Sequence, residues 1–105
     1  MNMKLIDITD IIRSKNAGPY EITFDIMFKT DEWYQRVSTA EVIHADLIAD
    51  LFKIPVSYVL GIVNFAPAKA IKVTIRRPFS SGALGETDVY GAQQHAPLLD
   101  LAFDL

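Results

Sequence analysis

Two residues of one polar, Gly-rich stretch have the types needed for proton transfer. His95 stands in Gln93-Gln94-His95-Ala96-Pro97, and Asp88 lies earlier in the same stretch. An imidazole that titrates near neutral pH can act as a general acid or base, or bind an anion. These two are the catalytic candidates. The plainer alternative is that His95 anchors the loop by hydrogen bonds, because spacing fixes no partner for it. Glu86, Asp88 and His95 also have ligand types for a hard or borderline metal. Their spacing matches no known site, and a solvated acidic loop explains the acids equally well, so no metal ligand is assigned.

A second constellation is cationic. Arg13, Lys15, Arg76 and Arg77 could together hold a carboxylate or phosphate, Arg being suited to bidentate anion recognition. Tyr90, Gln93 and Gln94 add polar contacts from the Gly-rich stretch. Against this, two of the cations fall in a predicted last helical turn and two at a predicted strand end, where cations are ordinary. Gly82, Gly85 and Gly91 form no phosphate-binding fingerprint, since neither GxGxxG nor Walker spacing occurs. No GxSxG elbow or HExxH helix is present, and Ser80 and Ser81 carry no signal as nucleophiles. Nothing in the sequence requires a cofactor.

The bulk numbers bound the function classes. A chain of 105 residues that is 50% hydrophobic predicts a single domain, 1–105, with a core of its own. Without cysteines there are no disulfides, thiolate nucleophiles or Cys-based zinc sites, which fits a reducing compartment. A net charge of −3 argues against nucleic acid as a partner. Met1-Asn2-Met3-Lys4 leads into a run broken by Asp7 and Asp10, so no signal peptide is expected. The apolar runs are far shorter than the ~20 residues that span a bilayer. The expectation is a cytoplasmic protein with no membrane segment.

The elements that must position these residues follow from periodicity. Leu5, Ile8, Ile11 and Ile12 share a helical stripe, with Asp7 as cap and Gly18-Pro19 as stop, which predicts a helix over about 7–16. Tyr20, Ile22, Phe24, Ile26 and Phe28 alternate with Glu21, Thr23, Asp25 and Met27, predicting a strand over 20–28 with one wet face. A helical region spans about 31–53. It starts at Thr30-Asp31-Glu32, a capping-box pattern at Ser38-Thr39-Ala40-Glu41 suggests a break, and Ile54-Pro55 ends it. Trp33 and Val37 supply the apolar side of its first part, with Tyr34 a further candidate, and Ile43, Leu47, Ile48, Leu51 and Phe52 that of its second. His44, just ahead of that second part, reads as a cap or solvent residue. Strands are expected over 59–65 and 70–77, joined by a turn at Ala66-Pro67-Ala68-Lys69, and over 98–104.

Between the last two strands lies the loop 78–97, too polar and Gly-rich for a core and long enough to suggest function. A crossover followed by a hairpin predicts an α+β fold with a ferredoxin-like, antiparallel or mixed four-stranded sheet of order 4-1-3-2. Helices cover one face, and the loop replaces the second crossover helix. The N-terminal helix would cover the vacated half of that face. The open face would carry Glu21, Thr23 and Asp25 beside Lys72, Thr74 and Arg76, together with part of the apolar 59–65 strand. Such a patch is a candidate partner surface.

Four segments carry a family likeness: Arg13-Ser14-Lys15-Asn16-Ala17-Gly18-Pro19, Phe24-Asp25-Ile26, Thr74-Ile75-Arg76-Arg77-Pro78 and, most specifically, Thr87 to Asp100. With these the chain resembles, over nearly its whole length, the small AtuA-related domain family of unknown function. The resemblance implies a ferredoxin-like fold, and a domain found alone or behind a large domain similar to the acyclic terpene utilisation protein AtuA. It implies work beside a larger partner in the breakdown of branched or terpenoid acids, as CoA thioesters. The family establishes no catalytic residue, so none is transferred. Ala66 stands where the family pattern has an acid, and His44 where it has a Thr-like cap.

Three functional readings follow. The first is an accessory subunit docked on an AtuA-like large subunit. The second is an enzyme or co-catalytic subunit using His95 and Asp88 on a carboxylate or acyl-CoA ligand held by Arg76 and Arg77. The third is a homo-oligomer that uses the open sheet. The first is preferred, because one helix layer on a sheet rarely encloses a substrate alone.

Overall fold

Gly18-Pro19 closes a hairpin. In the computed structural model, which describes residues 2–77 and 96–105, strand β2 (Thr9–Asn16) runs antiparallel to β3 (Glu21–Phe28). The Ala17 N–H donates to the Glu21 carbonyl at 3.0 Å across the turn, and Gly18 adopts φ +138°, a conformation that L side chains rarely take. The helix expected over 7–16 is therefore not formed. Among the described residues the one helical piece before β2 is a 3₁₀ turn at Leu5–Asp7, whose N-cap is Lys4 rather than Asp7.

The physical reason for this difference lies in β-branching and a bulge. Ile8, Thr9, Ile11 and Ile12 are stiff at χ1 and suit a pleated surface. The register slips between Thr9 and Ile11, so Thr9 sits opposite Phe28 and Ile11 opposite Met27, with Asp10 as the extra residue. That slip breaks the period-two pattern, and Leu5, Ile8 and Ile12 then mimic a helical stripe. The Gly-Pro pair that reads as a helix stop serves equally well as a hairpin turn.

Strand β3 continues into α1 (Asp31–Thr39) and α2 (Ala45–Phe52), then β4 (Val59–Phe65) and β5 (Ala70–Arg76). Thr30 caps α1 by accepting from the Trp33 N–H at 3.2 Å, and Asp31 and Glu32 meet the positive end of the helix dipole. The helical region breaks after Thr39, but it resumes only at Ala45. Ser38 and Thr39 are the last turn of α1 rather than a new cap. Glu41 takes a left-handed conformation there (φ 52°), and the Val42 N–H returns to the Val37 carbonyl at 3.3 Å. Helix α2 ends the same way, with Lys53 at φ 56° and the Ile54 N–H on the Ala49 carbonyl at 3.0 Å.

The four-stranded sheet has the order β2-β3-β5-β4, with antiparallel neighbours throughout. Strands β3 and β4 therefore run parallel, with β5 between them. The fold is α+β, but the ferredoxin-like order 4-1-3-2 is not realised. The place beside β3 that was expected for the C-terminal strand is taken by β2. A hairpin closed by a few residues costs far less loop entropy than pairing with a segment some seventy residues away. Pro97, Leu98 and Leu99 instead form a short helix α3 (Ala96–Leu99), and β6 (Ala102–Asp104) pairs with β1 (Asn2–Lys4) as a separate antiparallel ribbon. The Leu5 N–H on the Leu101 carbonyl at 2.9 Å ties the two chain ends together.

One face of the sheet carries the core. Ile22, Phe24, Ile26 and Phe28 from β3 and Ile71, Val73 and Ile75 from β5 are buried against Tyr34, Val37, Ile43 and Ile48 of the helical region. Phe24 stacks on Phe52 of α2 at 4.7 Å between ring centroids, and Phe28 meets Tyr34 at 6.3 Å. Leu5, Ile8, Leu98 and Leu101 extend this core towards the terminal ribbon. Each such side chain contributes roughly 1.5–3 kcal/mol on burial. Tyr20, expected inward, precedes β3 and is exposed. Among the described residues, no helix is long and apolar enough to cross a membrane.

Two substitutions test these turns. Gly18→Ala is expected to lower stability by about 1 kcal/mol or more in denaturant unfolding, because alanine must enter the positive-φ region. Lys53→Gly is expected to raise it by about 0.5–1 kcal/mol by relieving the left-handed cap.

Candidate functional site

The sheet face turned away from the helices gathers charge. Register sets Arg13, Asp25, Lys72 and Val63 side by side across the four strands. Ile11, Met27, Ala70 and Phe65 form the neighbouring row on one side, and Lys15, Thr23, Thr74 and Gly61 the row on the other. Arg76 lies opposite Glu21 near the end of the face. These side chains share a face because alternation along each strand is carried across the sheet by the pairing. In β4 a bulge at Leu60 resets the alternation, so that Gly61, Val63 and Phe65 rather than Leu60 and Ile62 align with the open rows.

Asp25 is the unusual member. A carboxylate on an outer sheet face is expected to be wet, yet Asp25 is 2% exposed. Arg13 Nε donates to its Oδ2 at 3.0 Å, whereas Oδ1 is buried and has no hydrogen-bond partner among the described residues. Lys72 Nζ lies 5.4 Å from the centroid of the Phe65 ring, and Arg76 Cζ lies 5.5 Å from that of Tyr58. The Thr23 and Thr74 hydroxyls meet at 3.2 Å. A cavity of about 110 Å³ opens at this point, lined by Asp25, Arg13 and Lys72 and by Met27, Phe65 and Ala68.

The predicted cations do not all come together. Arg13, Lys15 and Arg76 share the open face, but Arg77 turns to the other side of the sheet. It is buried, donates from a guanidinium nitrogen to Asn16 Oδ1, and sends its N–H to the Tyr20 carbonyl at 2.7 Å. Asp88, Tyr90, Gln93, Gln94 and His95 lie outside the described residues, as does nearly all of the loop 78–97. Among the described residues, no group of three or more His, Asp or Glu side chains could hold a metal ion.

Lys72 and Asp25 were legible as charges on the open face but not as a site. Their meeting with Arg13 depends on the β2–β3 hairpin. Elsewhere, a hollow of about 280 Å³ lies between the turn joining α1 to α2 and strand β4, beside His44. His44 stands at the α2 N-cap without a side-chain cap bond. Its Nδ1 is 3.1 Å from the Glu41 carbonyl and 3.0 Å from the Val42 carbonyl, which fits an Nδ1–H donor that braces the turn.

The separation of the two adjacent arginines is measurable. Arg77→Met is expected to cost about 2–3 kcal/mol in unfolding experiments, because a part-buried hydrogen bond from a charged group is lost and Asn16 loses a donor. Among the described residues Arg76→Met removes an exposed ring contact, expected to cost under about 1 kcal/mol.

No curated protein and no solved structure matches the chain. The family described as "Domain of unknown function (DUF4387)" matches residues 5–102, from the 3₁₀ turn before β2 to the start of β6. The chain belongs to this DUF4387 family.

Proposed function

We propose that the chain is a small accessory subunit that docks through the open face of its sheet on a larger AtuA-like protein. The observation that carries this reading is the composition of that face. Ile11, Val63 and Phe65 are 43%, 57% and 45% exposed, and they lie among Arg13, Lys15, Lys72 and Arg76. Four of the ten Lys and Arg residues thus gather on one surface of a chain with net charge −3. An apolar patch interleaved with cations fits a partner surface that is apolar at its centre and acidic at its rim. The setting proposed is cytoplasmic catabolism of branched or terpenoid carboxylic acids or their CoA thioesters, the role implied by the sequence resemblance.

Co-expression with an AtuA-like protein from the same genome tests the reading. The two are expected to co-elute in size exclusion at micromolar concentration, with weaker association at high salt. The double variant Val63→Glu/Phe65→Glu is expected to elute separately while keeping its unfolding midpoint within a few degrees of wild type, because both side chains are already exposed. Separate elution of the wild-type proteins, or continued co-elution of that variant, would contradict the proposal.

A further inference from the structure

The two edges of the four-stranded sheet are built differently. At one edge β2 carries Asp10, Arg13 and Lys15, and charged side chains on an edge strand discourage pairing with another chain. At the other edge β4 reads Val-Leu-Gly-Ile-Val-Asn-Phe, with no charge and no proline. Its bulge lies between Val59 and Gly61, which leaves residues 61–65 as regular strand. Among the described residues, β5 alone pairs with β4, and Leu60, Val63 and Phe65 are exposed. Such an edge is a template for one more strand.

The spacing of side chains along β4 points to the strand that fits it. Gly61 lies two residues before Val63 and Phe65 two residues after it, and all three align with the open face. A second β4 running antiparallel about a two-fold axis at Val63 sets Val63 against Val63, Ile62 against Asn64 and Gly61 against Phe65. Each Phe65 ring then lies beside the Gly61 of the other copy. A side chain at Gly61 would meet nothing within 4 Å, so this place is open to an incoming ring. An aromatic neighbour across the ladder is the usual complement of an edge glycine. Charge does not oppose the pairing. Lys72 lies opposite Val63 on β5, so the two copies of Lys72 stand three strand spacings apart, roughly 14 Å and beyond the screening length of about 8 Å.

From this self-complementarity we infer that β4 is the interface of a symmetric homodimer, whose two sheets join edge to edge into one of eight strands. The axis stands perpendicular to the sheet at Val63, so both helix layers lie on one side and both open faces on the other. The new ladder supplies about four to six backbone hydrogen bonds. The inference goes beyond docking on a large partner and does not require one. Docking uses the face of the sheet, whereas this contact uses its edge.

The test is the mass of the isolated chain in sedimentation at micromolar to millimolar concentration. The wild type is expected at twice the 11.7 kDa of the chain. Val63→Glu and Val63→Lys should each be monomeric, because like charges would face each other across the axis. Val63 is exposed, so both variants keep the core intact. An equimolar mixture of the two should return to the dimer mass, since opposite charges then meet. The chain has no cysteine, so a single one reports the register. Val63→Cys should form an intermolecular disulfide on mild oxidation, because directly opposed residues have Cα atoms about 4.5–5.5 Å apart. Leu60→Cys, exposed but off the axis, should crosslink at least about tenfold more slowly. A monomeric wild type, dimeric single-charge variants, a mixture that stays monomeric, or equal crosslinking of the two cysteine variants would each overturn the interface. No large partner is present, so such a failure leaves the co-elution experiment to decide docking on its own.

Discussion

The pairing of β2 with β3 is the constraint on which the rest of the structure depends. It fills the edge of β3, which leaves the C-terminal segment to pair with the N-terminus as a ribbon of its own. It turns Arg13 and Lys15 onto the open face and Ile12, Ser14 and Asn16 onto the other. It sets Arg13 opposite Asp25, so the one buried carboxylate of that face has a cation within hydrogen-bond reach. Move this strand by one residue and every side chain changes face.

Asp25 shows what that constraint holds in place. Removing a carboxylate from water is unfavourable unless it is paired and hydrogen-bonded, and among the described residues only one of its oxygens has a partner. An apolar pair at positions 13 and 25 would keep the same register with no such penalty. The surrounding scaffold is well packed. β3 and β5 are the inner strands, and Phe24 and Ile26 on either side of Asp25 are fully buried. A half-satisfied polar group on a well-packed strand is a feature of sites rather than of cores.

Much of the fold was legible where periodicity was unbroken. The 20–28 alternation, the apolar run of 59–65, the hairpin turn after it and the alternating 70–77 segment all follow from period two, and the strand bounds differ by a residue or less. The break between α1 and α2 was marked by short polar residues, though Glu41 and Lys53 hide their left-handed caps because neither is glycine. The N-terminal segment departs from its apparent helical period for a local reason. A single bulge at Asp10 turned a strand pattern into a helical one, and Gly18-Pro19 suits either ending. The open-face charges were visible, but their grouping was not. Arg13 could be placed beside Asp25 only once the hairpin was known, and Arg77 could be separated from Arg76 only once the end of β5 was fixed.

Strand register and the open-face charge cluster meet in the contact between Arg13 and Asp25. A double-mutant cycle of Arg13→Met and Asp25→Asn, read by denaturant unfolding, measures it directly. With β2 and β3 in the described register, the coupling free energy should be favourable and about 1 kcal/mol or more. A coupling of zero within error, with both single variants folded, would show that the two residues do not meet and would remove the site built on them.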